Sequence, residues 1–355
     1  MIDLDDITGL GALDTQGMLA HVASFPRQCR DAWAMVRPWQ APELYRSVDR
    51  IVIAGMGGSA IGGDLAAAVA ADRSSRPILV HRDYDLPACV DRRTLVIASS
   101  YSGNTEETIS ACYAAHEREC PLIAITTGGQ LARLAAQWQV PLFSFDYPAQ
   151  PRAALGYLFV SLLGILQALA LVEIEADWNE ALAVLDRQAA ELGPDMPRSQ
   201  NPAKELASRL FGQVPVIIGT GPLAPVARRW KTQFNENSKA WAYFEVLPEM
   251  NHNALSGIHF PPGGADRFHL LFLSPEEIDP RYRRRMELSQ QILEEQGIRC
   301  SQVPVRGRSP LAQVLSAVQW GDYVSCYLAL LYDADPTPIP EIARLKERMA
   351  HRIEQ

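Results

Sequence analysis

The residues of this chain that could take part in chemistry begin with two loops in its first half. Gly55-Met56-Gly57-Gly58-Ser59 and Ser100-Tyr101-Ser102-Gly103-Asn104-Thr105 each follow a short apolar run. Glycines let backbone N–H groups approach a ligand closely. Hydroxyls and N–H groups at the start of a helix can together surround the oxygens of a phosphate. The two loops therefore predict an anion site, above all a phosphate site.

Each loop also has a plainer interpretation. A glycine-rich turn after a strand is common in dinucleotide-binding folds, and clusters of Ser, Thr, Asn and Gly usually form turns and helix caps. Glu106 and Glu107 suit the positive end of their helix without any ligand. Two such loops at equivalent strand ends of one sheet favour phosphate binding. Thr126-Thr127-Gly128-Gly129, at a third strand end, is expected to shape the domain.

Titratable side chains are concentrated in the second half of the chain. Glu236 lies between asparagines at the end of a predicted helix, and His252 lies between asparagines in segment 248–253. An acid and a histidine are residue types that exchange protons with a substrate. A surface carboxylate and a surface histidine in ordinary contact with solvent are the alternative interpretation.

Two cations are further candidates. Arg152 precedes a segment without charge, Ala153 to Val172, and an arginine at the end of an apolar helix can also extend its guanidinium to solvent. Lys346 lies in a charged terminal helix, where a solvated lysine is the plain interpretation. The run Arg281 to Arg285 indicates a solvated helix face.

Apolar runs alternate with helical stretches around these loops. The predicted strands are Ile51–Ala54, Pro77–Val80, Leu95–Ala98 and Leu122–Ile125. Predicted helices cover Ala60–Ala71, Glu106–Glu119 and Leu131–Trp138, after an amphipathic helix from about Thr15 to Val36. Short buried strands separated by helices indicate a parallel sheet covered on both faces. Ligands bind beyond the carboxyl ends of such strands, where both loops lie.

The same order of elements returns later in the chain. Val216-Ile217-Ile218 leads into Gly219-Thr220-Gly221, and further predicted elements are helix Pro225–Asn237, strand His269–Leu273, helix Pro280–Glu295 and apolar helix Leu311–Leu331. We therefore predict two α/β domains in tandem. The predicted segments are an N-terminal helical segment 1–40, a first domain 41–172, a helical connector 173–205, a second domain 206–335 and a tail 336–355 carrying Lys346.

Composition narrows the class of protein. The 355 residues carry a net charge of -8, which argues against nucleic acid as a partner, although local cations can still bind a small anion. The cysteines lack CxxC spacing and the acidic N-terminus lacks a signal-peptide pattern, so we predict a cytoplasmic protein. The segment Ala153 to Val172 is long enough to span a bilayer. We interpret it as a helix buried between the two domains, and predict a soluble protein.

Five motifs together resemble the bifunctional phosphoglucose/phosphomannose isomerases, which are built from two sugar-isomerase (SIS) domains. They occur in order from about residue 40 to the terminal helix. The loop Ser100–Thr105, which we call the hydroxyl loop, by itself indicates only an SIS domain. The motifs that follow it in the chain favour the phosphoglucose/phosphomannose isomerases among SIS proteins. The motifs are Gly55–Ser59, Ser100–Thr105, Pro151–Ala154, Asn235–Lys239 and Pro248–Asn253.

The resemblance implies two flavodoxin-like SIS domains and a homodimer with a shared active site. It also implies an aldose–ketose isomerase that interconverts glucose 6-phosphate, and mannose 6-phosphate, with fructose 6-phosphate through a cis-enediol, with no cofactor. By the same resemblance, the residues that hold the sugar phosphate are Gly57, Gly58, Ser59, Ser100, Ser102 and Thr105.

The resemblance assigns catalytic roles as well. Glu236 is the base that moves a proton between C2 and C1, and Arg152 stabilises the enediolate. His252, from the neighbouring subunit, and Lys346 assist ring opening. The reaction needs such groups, because proton abstraction beside a carbonyl requires a base tuned toward neutrality and a fixed cation for the developing charge. With arginine supplying the charge and no ligand spacing for a metal, we predict no metal site.

One departure and two rival hypotheses remain. Archaeal members of the family carry a threonine close before the last helix; the ungapped position here is Ile339, with Thr337 two residues earlier, so phosphoglucose activity is implied more firmly than phosphomannose activity. A regulatory sugar-phosphate-binding SIS protein would keep Ser100–Thr105 without needing Glu236. A nicotinamide-dependent oxidoreductase fits the spacing from Gly55 to Asp83 but leaves the hydroxyl loop unexplained.

Overall fold

Two parallel sheets organise the chain, whose computed structural model describes residues 2–261 and 263–350. The strands within these ranges are β1 (Arg50–Ala54), β2 (Ile78–His81), β3 (Thr94–Ser99), β4 (Leu122–Thr126), β5 (Leu142–Ser144), β6 (Val214–Thr220), β7 (Tyr243–Leu247), β8 (Phe268–Pro275) and β9 (Arg299–Val305).

Helices precede, connect and cover the strands. They are α1 (Ile7–Leu13), α2 (Met18–Ala23), α3 (Phe25–Val36), α4 (Gly57–Ala70), α5 (Glu106–Glu117), α6 (Gly129–Trp138), α7 (Leu155–Ala168), α8 (Glu175–Leu192), α9 (Pro202–Leu210), α10 (Ala224–Glu236), α11 (Pro280–Glu295), α12 (Pro310–Leu331) and α13 (Pro340–Ala350).

The first sheet has the strand order β2-β1-β3-β4-β5, with all neighbours parallel. Alternate residues point to opposite faces, so Ile51 and Ile53 pack with α4 and α7, whereas Val52 and Ala54 pack with α5 and α6. Both faces are therefore apolar, as in a doubly wound fold. The order reverses between β1 and β3, which is where such sheets bind ligands.

The second sheet repeats this arrangement with one strand fewer. Its order is β7-β6-β8-β9, again parallel. Ile217 and Leu271 face α10 and α12, and Ile218 and Phe272 face α11. The predicted fold class, two tandem flavodoxin-like domains, is confirmed. The exact domain limits stay a prediction, and residues 1 and 351–355 lie outside the described residues.

The structure corrects several predicted elements. The amphipathic helix predicted from Thr15 to Val36 is two helices, α2 and α3, that meet at Ser24. Pro26 lacks the N–H that a continuous helix needs, and it is well placed in the first turn of α3. Strands β5, β7 and β9 were not predicted, because they lie at or near sheet edges and carry polar or half-exposed residues.

The uncharged segment is also in a different place from the one predicted. It forms α7, which packs between α3 and α4 inside the first half and not between the two halves. By length and composition Pro151–Ala168 is the one helix of the described chain that could cross a membrane, but 78% of it is buried within the protein. A helix covered on all sides by protein satisfies the same pattern.

The two halves meet through α4 and α10. Both helices contact each other, and α4 also contacts α12. Asp64, in the middle of α4, pairs with Arg228 in the first half of α10, at 3.6 Å between Oδ2 and Nη1. The start of α4 also approaches the backbone of Arg152, whose side chain reaches the end of α10, so these two helix ends lie on either side of Arg152. Helix α4 starts in the loop Gly55–Ser59, which we call the glycine loop, and α10 ends at Glu236.

Candidate active site

The glycine loop and the hydroxyl loop meet at the switch point of the first sheet. Ser59 Oγ accepts a hydrogen bond from Tyr101 N at 3.2 Å, which joins the loop after β1 to the loop after β3. Ser100 Oγ and Thr105 Oγ1 are 2.9 Å apart. Both are in position to turn toward an anion at the starts of α4 and α5, where helix dipoles favour negative charge.

The loop after β4 holds the hydroxyl loop in shape, as its sequence suggested. The carbonyl oxygen of Tyr101 accepts from Thr127 N at 3.1 Å and from Thr127 Oγ1 at 2.7 Å. A Cβ on Gly103 would come within 1.9 Å of Gly128 O, and one on Gly129 within 2.3 Å of Ser102 O. Only glycines allow these two loops to pack so closely.

Gly58 brings the glycine loop against the segment that carries Arg152. A Cβ at Gly58 would lie 3.0 Å from Pro151 O and 3.4 Å from Arg152 N. Its neighbour Gly57 has φ +51° in the left-handed region and open space where a Cβ would be. The start of α4 therefore offers an uncovered backbone on one side and touches the backbone of Arg152 on the other.

Arg152 is the residue on which the two halves converge. Its side chain is only 3% exposed, and its Nη1 lies 3.5 Å from Glu236 Oε2, whose side chain is 29% exposed. Arg152 Nε donates to Asn237 Oδ1 at 2.7 Å. Nη2 donates to Pro336 O at 2.9 Å and to Thr337 O at 2.7 Å. The structure thus brings Arg152 and Glu236 together across the interface between the two halves.

The pattern of donors on Arg152 indicates which edge of the guanidinium is available. The single N–H of Nε and both N–H groups of Nη2 are used by protein oxygens, so Nη1 alone keeps spare donor capacity. Burial lowers the pKa of Arg152, and the Glu236 carboxylate opposes that shift. Arginine remains charged in proteins. The site therefore presents a charged N–H edge beside a carboxylate.

A second buried network holds this pair from behind. Arg229 Nη2 donates to Arg152 O at 3.1 Å and to Asp322 Oδ2 at 2.6 Å, and Gln233 Nε2 donates to Asp322 Oδ1 at 2.9 Å. Burial raises the pKa of Asp322, and Arg229 opposes that rise. Asn237 Nδ2 donates to Ser325 Oγ at 2.9 Å, which orients its oxygen toward Arg152. The positions of Arg152 and Asn237 are therefore set by α12.

His252 and Lys346 are not brought to this pair within one chain. His252 is exposed and follows β7, at the carboxyl edge of the second sheet. The helix α10 runs back from that edge, so Glu236 lies at the opposite, amino edge. Lys346 is exposed on α13, and no described residue accepts a hydrogen bond from it. In the described part of the chain, no hydrogen bond or ion pair joins either side chain to Arg152 or Glu236.

Three residues at the site were not assigned from the sequence. Asn237 binds Arg152 through its side chain, Thr337 does so through its carbonyl, and Lys239 lies next to both. The signals available were the unusual Asn-Glu-Asn triplet and the proline-rich stretch before α13, which indicates a rigid connector. Neither signal reveals that the connector crosses over the end of α10. In the described ranges no three His, Cys, Asp or Glu residues are grouped to hold a metal ion.

Comparison with known proteins decides the family. The chain is 39% identical over 335 residues to the bifunctional phosphoglucose/phosphomannose isomerase of Caldicellulosiruptor bescii, covering 94% of this chain and 99% of that protein. The chain belongs to the bifunctional phosphoglucose/phosphomannose isomerase family. The Aquifex aeolicus member is 37% identical over 300 residues, covering 84% of this chain and 90% of its own. Membership in this enzyme family does not favour the regulatory and nicotinamide-dependent hypotheses.

Family models and a solved structure agree with this membership. Residues 199–349 match the bacterial phospho-glucose isomerase C-terminal SIS domain, and residues 44–140 match the SIS domain. The crystal structure of a hypothetical protein from Thermus thermophilus superposes with a TM-score of 0.74 over 98% of this chain and 94% of that chain. Its sequence identity is 17%, so it bears on the fold alone.

Proposed function

We propose that this phosphoglucose/phosphomannose isomerase family member interconverts glucose 6-phosphate and mannose 6-phosphate with fructose 6-phosphate, with Glu236 as the base. The observation that carries the proposal is the Glu236 carboxylate 3.5 Å from the buried Arg152 guanidinium, beside the start of a phosphate-type helix. A sugar-phosphate-binding protein does not require a carboxylate beside a buried cation, whereas an isomerase needs both a base and a cation. The enzyme is thus an aldose–ketose isomerase of sugar phosphates.

The phosphate is held by the first half of the chain. Backbone N–H groups of Gly57, Gly58 and Ser59 and the hydroxyls of Ser100, Ser102 and Thr105 are its proposed donors. In the free protein these hydroxyls form hydrogen bonds with neighbouring atoms of the loops. For example, Ser102 Oγ accepts a hydrogen bond from Asn104 N at 3.3 Å. Phosphate oxygens replace those weak bonds with charge-assisted ones, which are about twice as strong.

The proton transfer takes place on the open-chain sugar. The Glu236 carboxylate removes the proton from C2 of the aldose, and the electron pair forms the C1–C2 double bond while the carbonyl oxygen on C1 becomes the enediolate oxygen. Arg152 Nη1, the free edge of the guanidinium, stabilises that charge. The proton then passes to C1, a second proton moves from the C2 hydroxyl to the C1 oxygen, the carbonyl forms at C2, and the product is the ketose. Two protons and the double bonds change position, and nothing is gained or lost.

His252 and Lys346 are proposed to act on the ring form of the substrate. Because His252 lies at the opposite edge of the second sheet from Glu236, we assign it to the active site of a partner subunit in a homodimer. The second half also exposes large apolar side chains in one chain, and these are Trp241, Tyr243 and Phe260. The dimer and a cytoplasmic location are both part of the proposal.

We propose that Thr337 has the role of the threonine that archaeal family members carry before the last helix. Without gaps, that threonine corresponds to Ile339. Its residue is 3% exposed, its carbonyl accepts from Arg152, and its Oγ1 has no hydrogen-bond partner among the described residues. A buried hydroxyl without a partner beside the reacting carbons can bind a water or the substrate. This contact supports mannose 6-phosphate as a second substrate, since glucose and mannose differ only at C2.

One coupled assay tests the function. Fructose 6-phosphate formation is measured from glucose 6-phosphate and from mannose 6-phosphate separately, each with and without EDTA. We expect turnover of both sugars and rates unchanged by EDTA. No turnover of either sugar contradicts the function, and loss of activity in EDTA contradicts the predicted absence of a metal.

A mixing experiment tests the shared site. Glu236→Gln and His252→Asn are each expected to be inactive as homodimers. When equal amounts are mixed and allowed to exchange subunits, half of the dimers are hybrids with one intact site, which restores about a quarter of wild-type activity. Light scattering gives the mass of the particle. A monomeric particle, or no restored activity in verified hybrids, contradicts the placement of His252.

A further inference from the structure

Lys239 has an unusual backbone for a lysine. It lies just after the end of α10, with φ +54°, in the left-handed region that glycine adopts without strain and other residues rarely occupy. Glycine is the common residue where helices end in this conformation. A lysine at such a position implies that its side chain has a role that glycine lacks.

The ammonium group of Lys239 uses its three donors on three backbone carbonyls. Nζ donates to Glu236 O at 2.8 Å, to Asn237 O at 3.2 Å and to Pro336 O at 2.9 Å. The first two carbonyls belong to the end of α10, where unpaired C=O groups carry the negative end of the helix dipole. The third belongs to the segment Asp335–Thr337, which we call the 335–337 strap.

The same strap is bound by the catalytic arginine. Pro336 O accepts from Arg152 Nη2 at 2.9 Å as well as from Lys239 Nζ, so one carbonyl oxygen joins the two cations. Lys239 therefore connects the backbone of Glu236 to the strap, and the strap connects to Arg152. These bonds form a closed loop, because Arg152 Nη1 lies 3.5 Å from the Glu236 carboxylate.

We infer that Lys239 is a positioning residue: its ammonium fastens the 335–337 strap to the end of α10 and so fixes Glu236 opposite Arg152. This inference rests on the proposed roles of those two residues. Without Lys239, the strap keeps its bonds to Arg152, but the end of α10 is no longer bound to it. The carboxylate then varies in position relative to the guanidinium, while the phosphate loops are untouched.

The charge of Lys239 is sensitive to pH in the working range. Desolvation and the nearby Arg152 lower its pKa to about 8, and Asp335 on the strap, Cys326 on α12 and Glu236 on α10 oppose the shift. The ammonium is present below that pH and is lost above it. A neutral amine keeps two N–H donors and no charge, so the fastening weakens as the pH rises through about 8.

The test compares Lys239→Met, Lys239→Gly and Lys239→Arg with wild type. Met keeps the length without the ammonium, and Gly also removes the backbone strain, so it remains folded if Met does not. For both we expect kcat to fall about 30-fold with KM changed less than about twofold. Lys239→Arg keeps the charge, so its decline of kcat with alkaline pH starts at least about one pH unit higher than in wild type. Lys231→Met, on α10, is the matched control, and its kcat should stay within about twofold of the wild-type value.

Hydrogen–deuterium exchange gives a readout that does not depend on activity. The peptide containing the strap should exchange faster in Lys239→Met and Lys239→Gly, and that containing Ser100–Thr105 should not change. Full kcat in both variants, an unshifted alkaline decline in Lys239→Arg, or unchanged strap exchange overturns the inference. If wild-type enzyme turns over neither sugar, the proposed function fails, whereas faster strap exchange in the variants still supports the fastening itself.

Discussion

The two halves of the chain share a strand order but use opposite edges of their sheets. In the first half the carboxyl edge is open: Gly57 has no neighbour where a Cβ would stand, and hydroxyls surround the gap. In the second half the equivalent glycine, Gly221, is just as open, but it is followed by Pro222, which has no N–H, and by Leu223, where the first half has Gly58 and Ser59. The short 3-10 turn Gly221–Leu223 packs against α4 and α12.

This difference separates anchoring from chemistry. Helix N-termini attract anions, so the starts of α4 and α5 suit a phosphate. The end of α10 is the negative end of its helix, and cations gather there: Arg152 and Lys239 both bind backbone or side-chain oxygens close to it. Under the proposed function, one copy of the duplicated fold contributes the anion site and Arg152, and the other contributes the Glu236 carboxylate at the end of a helix.

The largest effect is expected from removing the base in the second half. Glu236→Gln keeps the shape and an oxygen facing Arg152 but cannot accept the C2 proton, so kcat falls about 10³- to 10⁴-fold. Calorimetry should give an unchanged Kd for fructose 6-phosphate, since the anchor is in the other half. Glu287→Gln, an exposed residue of α11, is the control. Normal turnover in Glu236→Gln contradicts the assignment of the base.

A slightly smaller loss is expected from Arg152→Lys. Lysine lacks the planar guanidinium whose N–H groups reach Asn237, the 335–337 strap and the enediolate at the same time. We therefore expect kcat to fall about 10²- to 10³-fold with little change in KM. The protein oxygens that lose their arginine donor are expected to lower the free energy of unfolding by about 2 kcal/mol, which denaturant titration measures. Arg228→Lys, a half-exposed arginine on α10, should lose almost nothing. Equal losses in both variants would mean that the pair is structural only.

The third prediction addresses the anchor. In the double variant Ser100→Ala, Thr105→Val we expect KM for glucose 6-phosphate to rise about 30-fold, with kcat changed much less, because two hydrogen bonds to a charged group are lost. The second half offers a matched variant, Thr220→Val, at the equivalent turn, where Oγ1 is buried without a described partner. Its KM should not change. A KM effect at Thr220 breaks the contrast between the two edges.

The smallest effect concerns the choice of sugar. Thr337→Val removes one hydroxyl and keeps the carbonyl that binds Arg152. We expect kcat/KM for mannose 6-phosphate to fall about fivefold more than that for glucose 6-phosphate, the size of one hydrogen bond. Ile339→Val serves as the comparison at the ungapped position. Equal changes for both sugars assign Thr337 to structure and not to substrate choice.

Local patterns in the sequence predicted most elements and the positions of both loops that we propose to bind phosphate. Helix α11 begins at Pro280 and ends at Glu295, as predicted, because its polar face and proline start are local signals. Strand β9 escaped detection because it is an edge strand with Arg299, Gln302 and Pro304 in it. Edge strands need no continuous apolar run.

The contact between Arg152 and Glu236 could not be predicted from spacing. The two residues lie 84 positions apart, and they meet only because the two halves of the chain pack against each other. Similarly, Lys239 becomes informative only through its φ and through the strap that crosses its ammonium. Residue types can suggest candidates, but the packing of the two halves selects among them.

The close approach of Gly58 to Pro151 sets a distance within the proposed active site. Because a Cβ at Gly58 would come within 3.0 Å of Pro151 O, the backbone of the proposed phosphate donors lies directly against the segment that carries Arg152. Under the proposed function, this contact sets the span from the phosphate to the guanidinium. A sugar phosphate one carbon shorter presents its carbonyl about 1.5 Å out of register, the length of one C–C bond. Under the proposed function, we expect this span to favour six-carbon substrates.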